Sequence, residues 1–112
     1  MAKNQKYWGR VATVPFTATA NRAAGDLVHE GLVYGVVVDT TASGASGMLH
    51  VRDGFELTKN AATEVLAVGD FVEFVTGGKV QKHDEGVKIG KVVEASGNGT
   101  TTVIVDLMPE LY

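Results

Sequence analysis

The nine residues ATVPFTATA, at positions 12–20, alternate strictly between apolar and other side chains. The even positions hold Ala, Val or Phe, and the odd positions hold Thr or Pro. A period of two is typical of a half-buried β-strand, because successive side chains of a strand point to opposite faces. Pro15 has no backbone N–H, so we predict that this strand lies at a sheet edge or bonds only through its other side.

The rest of the sequence also favours strands. Val occurs 18 times and Thr 11 times, and β-branched residues fit the pleated surface of a sheet. No stretch of 12 or more residues carries an apolar stripe at helical spacing. We therefore predict an all-β fold, a small single-domain barrel or sandwich of eight or nine short strands with an extended N-terminal arm. After the first strand, the candidates are residues 27–29, 32–39, 48–52, 55–57, 71–76, 79–82, 87–94 and 101–107.

Glycines punctuate these candidate strands. Gly77-Gly78 separates two of them, and a pair of residues that tolerates positive φ predicts a two-residue hairpin turn. Asp26 and Asp70 each follow a Gly, a position where an Asp side chain stabilises a tight turn by bonding to the backbone nearby.

Two parts of the chain resemble each other. AGDLV at 24–28 resembles VGDFV at 68–72, and GVVV at 35–38 resembles GKVV at 90–93. The two motifs start 11 residues apart in the first copy and 22 apart in the second, and the Gly-Gly hairpin accounts for the 11 extra residues. The pattern fits an internal repeat, and it equally fits a chance recurrence of Gly-Asp turns and Val runs in a β protein.

Length and composition exclude several classes of protein. At 112 residues the chain makes one domain, and without cysteine it has neither a disulfide nor a thiolate zinc site. A net charge of −3 argues against a nucleic-acid-binding domain, which is usually basic. No apolar run has the length of a membrane span, and the first residues do not resemble a signal peptide. We expect a soluble protein made in the cytoplasm.

The charges divide the chain into a basic arm and an acidic body. Residues 1–22 carry four basic side chains and no acid, whereas residues 23–112 carry 6 basic and 13 acidic ones, a balance of −7. We interpret residues 1–20 as an extended N-terminal arm or edge strand and residues 21–112 as the body. Tyr7 and Trp8 lie in the arm. The arm is either an ordinary first strand with solvating lysines or a segment that docks on a partner, since aromatic and Arg side chains are enriched at interface hot spots.

The sequence contains no pattern of a catalytic site. None of the three histidines is spaced for a metal pair or lies beside a nucleophilic serine. Residues 86–91, GVKIGK, approach a phosphate-binding loop but are one residue short, and Val92 replaces the hydroxyl residue that binds magnesium. His83-Asp84-Glu85 is more simply a solvated loop than a metal site. We expect neither an enzyme nor a bound metal or cofactor.

Several short motifs occur along the chain: MAKN at 1–4, GRV at 9–11, TVP at 13–15, AGD at 24–26, GLV at 31–33, GFEL at 54–57, VGD at 68–70 and a Thr-Val-rich final strand. Taken in this order and spacing, they resemble the capsid cement proteins of tailed bacteriophages, also called head decoration proteins. The resemblance covers nearly the whole chain.

The resemblance implies a non-enzymatic structural protein of the virion. It would be made in the host cytoplasm and bind the outer surface of an expanded capsid, clamping neighbouring major capsid subunits, in many relatives as a trimer. No nucleic acid, membrane or cofactor is implied. The chemistry of the arm suggests these contact residues: Lys3, Lys6, Tyr7, Trp8, Arg10, Val14 and Phe16. The alternative is a small ligand- or glycan-binding β-barrel, which needs an aromatic-lined pocket although the chain has only 8 aromatic residues.

Overall fold

The computed structural model describes residues 12–112, and nine strands run through this part of the chain. Each overlaps a strand predicted from the sequence, so the all-β prediction is confirmed. The strands are β1 (Thr13–Thr17), β2 (Leu27–Glu30), β3 (Val33–Val37), β4 (Ser46–His50), β5 (Asp53–Thr58), β6 (Phe71–Val75), β7 (Lys79–Lys82), β8 (Lys88–Glu94) and β9 (Thr102–Leu107), followed by a 3₁₀ turn, Pro109–Leu111. No apolar helix of bilayer-spanning length occurs in this range.

The strands form two antiparallel sheets. The first has the order β1-β4-β3-β2, and the second has the order β5-β9-β8-β6-β7. The chain passes from one sheet to the other at Asp53, whose φ of 88° lies in the left-handed region that Asp tolerates. The two edge strands of the second sheet, β5 and β7, meet just after the end of β5, where the Asn60 N–H donates to the Val80 C=O at 2.8 Å. The arrangement is sandwich-like and not a closed barrel, which resolves the two architectures left open by the sequence.

Strand β1 behaves as its alternation predicts. Among residues 12–112 it pairs only with β4, and its apolar residues Val14 and Phe16 pack into a core. The Val51 N–H donates to the Ala12 C=O and the Ala18 N–H to the Ala45 C=O, both at 2.9 Å. Since backbone groups alternate in direction along a strand, the even residues of β1 bond to β4, and Pro15 faces the open edge. An edge position for this proline is thereby confirmed.

The two Gly-Asp motifs fold identically, so the internal repeat is structural. Gly25 and Gly69 have φ values of 90° and 94°, and each lies in a turn that precedes a strand. The Gly25 N–H donates to the Val37 C=O, and the Gly69 N–H donates to the Val92 C=O, both at 2.8 Å. These contacts join each turn to the Gly-Val-Val strand of its own copy.

The aspartates of the two turns also have the predicted structural role. The Ala23 N–H donates to Asp26 Oδ2 at 3.0 Å, and the Ala67 N–H donates to Asp70 Oδ2 at 2.9 Å. Each carboxylate therefore stabilises its turn by accepting the backbone N–H of the residue three positions earlier.

Both sheets follow one plan. If β1, β2, β3 and β4 are matched with β5, β6, β8 and β9, the strand order is the same in the two sheets, and β7 is the added strand. The extra residues of the second copy form β7 and its hairpin, as predicted. The turn was predicted with two residues and has three, because Val75 pairs with Lys79. Thr76 joins Gly77 and Gly78 in the turn, and both glycines have positive φ.

The hydrophobic core consists of two clusters, and the first sheet contributes to both. Leu27 and Val36 belong to the cluster of the second sheet, whereas their sequence neighbours Val28 and Val37 belong to the other cluster. Successive residues of a strand face opposite sides, so β2 and β3 are buried on both faces. One face of the first sheet thus covers the core of the second.

A buried carboxylate holds the loop between β7 and β8. Glu73 Oε1 accepts the N–H groups of Asp84 and Gly86 at 2.7 and 2.8 Å, and Oε2 accepts from Gln81 Nε2 at 2.6 Å. The bond from Asp84 outweighs the opposing effect of burial and, with the others, holds the pKa of Glu73 below its ordinary value. The cluster His83-Asp84-Glu85 is therefore a loop folded around Glu73.

Tyr112 connects the end of the described chain to the first sheet. Its hydroxyl accepts from the Tyr34 N–H at 3.3 Å and donates to the Tyr34 C=O at 3.2 Å. Strand β4 ends at His50, before it could pair with Tyr34, so the phenol supplies the hydrogen bonds that β4 does not. Burial raises the pKa of Tyr112.

Alanine at two matched glycines tests the repeat. A Cβ atom on Gly35 would lie 2.6 Å from the His50 carbonyl oxygen, and one on Gly90 would lie 2.5 Å from that of Asp106. We expect Gly35→Ala and Gly90→Ala each to lower the free energy of unfolding by about 2 kcal/mol, measured by urea denaturation. Gly97→Ala is the control, because its Cβ would meet nothing within 4 Å. Wild-type stability of either core variant would contradict the close approach of these backbones.

Replacing Glu73 tests the carboxylate that organises the β7–β8 loop. At neutral pH we expect Glu73→Gln to lower the free energy of unfolding by about 2 kcal/mol, the scale of hydrogen bonds to a charged group. Because folding lowers the pKa, this stabilisation is full above the ordinary pKa and is lost as the pH falls through the folded value. The difference between the two proteins should shrink between urea titrations at pH 7 and pH 3. Glu85→Gln, exposed in the same loop, is the control, and an equal loss in both variants would contradict the assignment.

Removing the Tyr112 hydroxyl tests its connection to the first sheet. Tyr112→Phe should cost about 1 kcal/mol at neutral pH, since it deletes the partner of both Tyr34 backbone groups. The raised pKa means that the stabilisation is full below the ordinary pKa of tyrosine, about 10, and is lost as the pH rises through the folded value. Urea titrations at pH 7 and pH 11 should show the difference disappearing. Tyr34→Phe is the control, and a larger effect there would refute the assignment.

Candidate functional site

A cleft of about 590 Å³ lies between the two sheets. Its walls are residues 25–29, which include most of β2, residues 56–58 of β5, and residues 76–79 of the β6–β7 hairpin. Arg22 and Phe74 complete the lining. Two of these walls, β2 and β5, are edge strands of different sheets.

The edge of β2 directs unpaired backbone groups away from its sheet. The Val37 N–H donates to the Asp26 C=O at 2.9 Å, so the backbone carbonyl of Asp26 points toward β3. Because the direction alternates, Val28 also bonds to β3, whereas the N–H and C=O groups of Leu27 and His29 point outward. These outward groups bond to no other strand in residues 12–112.

The edge of β5 is covered at its far end by β7. The Lys59 N–H donates to the Thr101 C=O at 2.8 Å, and by alternation Leu57 also bonds to β9. The backbone groups of Glu56 and Thr58 therefore point away from β9, and β7 meets this side of the strand through a parallel bridge between Lys59 and Val80. Their side chains are exposed, whereas that of Leu57 is buried in the core.

Aromatic rings lie at the β2 side of the cleft. The His29 ring stacks on Tyr34 with a centroid distance of 4.0 Å and an interplanar angle of 11°. Phe74 lies 6.0 Å from His29 and 5.3 Å from Tyr34, so the three rings form one cluster across the two sheets. His29 and Phe74 line the cleft, which gives it an apolar surface between two polar strand edges.

The hairpin tip closes one side of the cleft against β2. A Cβ atom on Gly78, whose φ is 81°, would lie 2.6 Å from the Leu27 carbonyl oxygen. Only glycine permits both this φ and this approach. The hairpin that distinguishes the second copy of the repeat therefore also shapes the cleft.

The charges around the cleft leave an excess of acid. Glu30 accepts from the Thr19 N–H at 3.1 Å, from Thr19 Oγ1 at 2.9 Å and from Arg22 Nε at 2.9 Å. Burial alone would raise the pKa of Glu30, but these bonds hold it below its ordinary value, and the pair neutralises Arg22. Asp26, Glu56 and Lys79 make no ion pair with any residue from 12 to 112, which leaves two acids and one base.

The contact residues predicted from the sequence divide into two groups. Lys3, Lys6, Tyr7, Trp8 and Arg10 lie outside the described residues. Val14 packs against the hydrophobic cluster that contains Val28 and Val37, and Phe16 is only 8% exposed within it, so both side chains anchor β1 to the body.

The cleft was not predicted from the sequence. Its open groups belong to the backbone, and no residue type marks an edge strand as unpaired. The one relevant signal is the Gly77-Gly78 turn, which indicates a hairpin but not the strand that it approaches.

The described residues provide no catalytic arrangement. His83 Nε2 lies 3.1 Å from the Gly86 C=O, and the His50 ring lies 5.3 Å from that of Phe55. Lys91, at the end of the phosphate-loop-like segment, lies in β8 with its Nζ 5.4 Å from the Phe71 ring centre. No group of three or more His, Asp and Glu side chains in this range converges on a metal-binding geometry.

Comparisons with known proteins agree with the all-β architecture. The base of the head fibre gp8.5 of bacteriophage phi29 has a similar fold, with a TM-score of 0.52 over 87% of this chain and 93% of that chain, at 14% sequence identity. A search of curated protein sequences gives no match. The profile of the phage cement protein family matches residues 8–107, which is nearly the whole chain. The chain therefore belongs to the phage cement proteins, a family of structural virion proteins.

Proposed function

We propose that this protein binds the outer surface of an expanded phage capsid and stabilises it by clamping neighbouring major capsid subunits. The observation that carries the proposal is the family match over residues 8–107. No catalysis is needed for this function. A ligand that binds only the assembled shell stabilises it by mass action, by about 2.7 kcal/mol per site at a hundredfold excess over Kd.

The body suits a role as a rigid attachment unit. Its two sheets share one face through Leu27 and Val36, and buried carboxylates hold its loops. Such a body transmits force between contacts on neighbouring subunits instead of yielding to it. The alternative of a ligand- or glycan-binding barrel gains no support from the comparisons, and the sheets do not close into a barrel.

The N-terminal arm is the proposed capsid contact. Residues 1–10 contain three basic side chains and no acid, and they include the single Trp beside a Tyr. Lys3, Lys6 and Arg10 would contribute charge, and Tyr7 and Trp8 would contribute buried area. Val14 and Phe16 lie at the end of this arm nearest the body, where their side chains pack with the cluster that contains Val28 and Val37 and hold β1 in place.

We also propose a trimeric arrangement on the capsid. Many capsid lattices present three-fold and quasi-three-fold positions, and a cement protein that joins neighbouring subunits fits there. The proposed partner is the major capsid protein, and the proposed location is the outer surface of the virion.

Trp8→Ala tests the arm as a capsid contact. We expect it to weaken binding by about 2 kcal/mol, because large aromatic side chains dominate interface energetics. The measurement is co-sedimentation of purified protein with undecorated, expanded capsids over a range of concentrations. Gln5→Ala, in the same arm, is the matched control and should bind like the wild type.

Deleting residues 1–10 extends the same test. The truncated protein should keep the β-sheet circular dichroism of the body and lose decoration of the capsid. Equal occupancy of the truncated and complete proteins would place the capsid contact on the acidic body and refute the role of the arm.

A further inference from the structure

We propose that Phe71, Lys88 and Lys91, on the outer face of the second sheet, form a second capsid contact that docks on an acidic segment of a major capsid subunit. A clamp needs at least two points of attachment, so the inference rests on the proposed function, in which the N-terminal arm supplies only one. The three residues are called the Phe71 cluster below.

The internal repeat shows how the matching face is used in the first sheet. Each sheet pairs the residue after its Gly-Asp turn with the residue after its strand glycine. In the first sheet these are Leu27 and Val36, and both are buried because their face covers the core of the second sheet. In the second sheet they are Phe71 and Lys91, and both remain partly exposed. The same face of the repeat is thus a docking face inside the body and an open face at its surface.

The side chains on the open face favour an acidic partner. Lys91 stands where the first copy has Val36, and its Nζ lies 5.4 Å from the centre of the Phe71 ring. Lys88 Nζ lies 4.7 Å from the same centre. Neither ammonium forms an ion pair within residues 12–112. Two cations on one aromatic ring present charge and apolar area together, which suits a carboxylate flanked by apolar side chains.

The acids nearest the cluster leave its charge positive. Asp106 is the cross-strand neighbour of Lys91, and Glu73 is that of Lys88. Glu73 is buried, and its oxygens accept N–H groups of the β7–β8 loop and of a side chain. Asp70, beside Phe71, has its own lysine partner at 3.9 Å. The cross-strand charges at the surface are therefore two lysines against Asp106.

Two exposed valines extend the cluster with apolar area. The Gly69 N–H donates to the Val92 C=O at 2.8 Å, which holds the turn before β6 against β8. Val68 and Val93, the sequence neighbours of these two residues, are 66% and 47% exposed. Apolar area beside ordered charged groups is typical of a protein interface.

Charge complementarity favours the capsid as the occupant. Residues 1–10 carry three basic side chains and no acid, so a capsid surface that accepts the arm is acidic. Residues 23–112 have a balance of −7, and such a surface repels them except where their local charge is positive. The Phe71 cluster meets that condition. A two-fold contact between copies through this face would instead oppose lysine to lysine.

Lys91→Gln tests the cluster, because it removes one charge and keeps a long polar side chain. We expect its binding to undecorated, expanded capsids, measured by co-sedimentation at low salt, to be about tenfold weaker than that of the wild type. The difference should shrink as salt screens the contact. Lys79→Gln is the matched control, since it makes the same change in net charge at an exposed position in β7.

The results separate this inference from the proposed function. Wild-type affinity of Lys91→Gln, or an equal loss in the Lys79→Gln control, overturns the inference and leaves the capsid role intact. Failure of the wild-type protein to bind expanded capsids refutes the proposed function, and the inference with it.

Photocrosslinking identifies the occupant, and the absence of native cysteine makes the label specific. Val93→Cys protein is labelled with a benzophenone maleimide and irradiated while it is bound to expanded capsids. We expect an adduct with the major capsid protein, located by digestion in an acidic segment. An adduct only between two copies of the cement protein assigns the face to self-association and overturns the inference.

Discussion

In an antiparallel sheet, each residue of an edge strand turns both of its backbone groups the same way, toward its partner or away from it. This alternation governs the structure at every edge. In β1 it places Pro15 on the open side, where a missing N–H costs no hydrogen bond. In β2 it leaves Leu27 and His29 with unpaired groups that face the cleft, whereas the end of β5 is bridged by β7. The difference between a blocked edge and an open one thus follows from which residues of a strand bond inward.

The body is made of two copies of one four-stranded plan, and they are not equivalent. Leu27 and Val36 cover the core of the second sheet, so β2 and β3 are buried on both faces. The second copy has gained β7, whose hairpin tip lies against β2 through Gly78. The cleft between the sheets is a consequence of this asymmetric packing.

Two buried carboxylates fix loops of the body to its strands. Loops that would otherwise be mobile are held by buried carboxylates, Glu30 on the segment after β1 and Glu73 on the segment after β7. Each carboxylate accepts backbone N–H groups, which satisfies polar atoms that burial would otherwise penalise. These features suit the clamping function that we propose, since a clamp must not yield between its points of attachment.

The sequence by itself determined the class of fold, the approximate positions of all nine strands and the edge position of β1, because strand periodicity and proline chemistry are local properties. It also determined the Gly-Asp turns and the presence of a hairpin at Gly77-Gly78, although the turn has three residues. The tertiary structure alone decided between sandwich and barrel, since sheet closure depends on how distant strands pair. It also decided that the side chain of Phe16 is buried in the body and that the edges of β2 and β5 meet at a cleft. No residue type marks a backbone N–H or C=O group as unpaired, so only the packing of the two sheets shows where such groups lie.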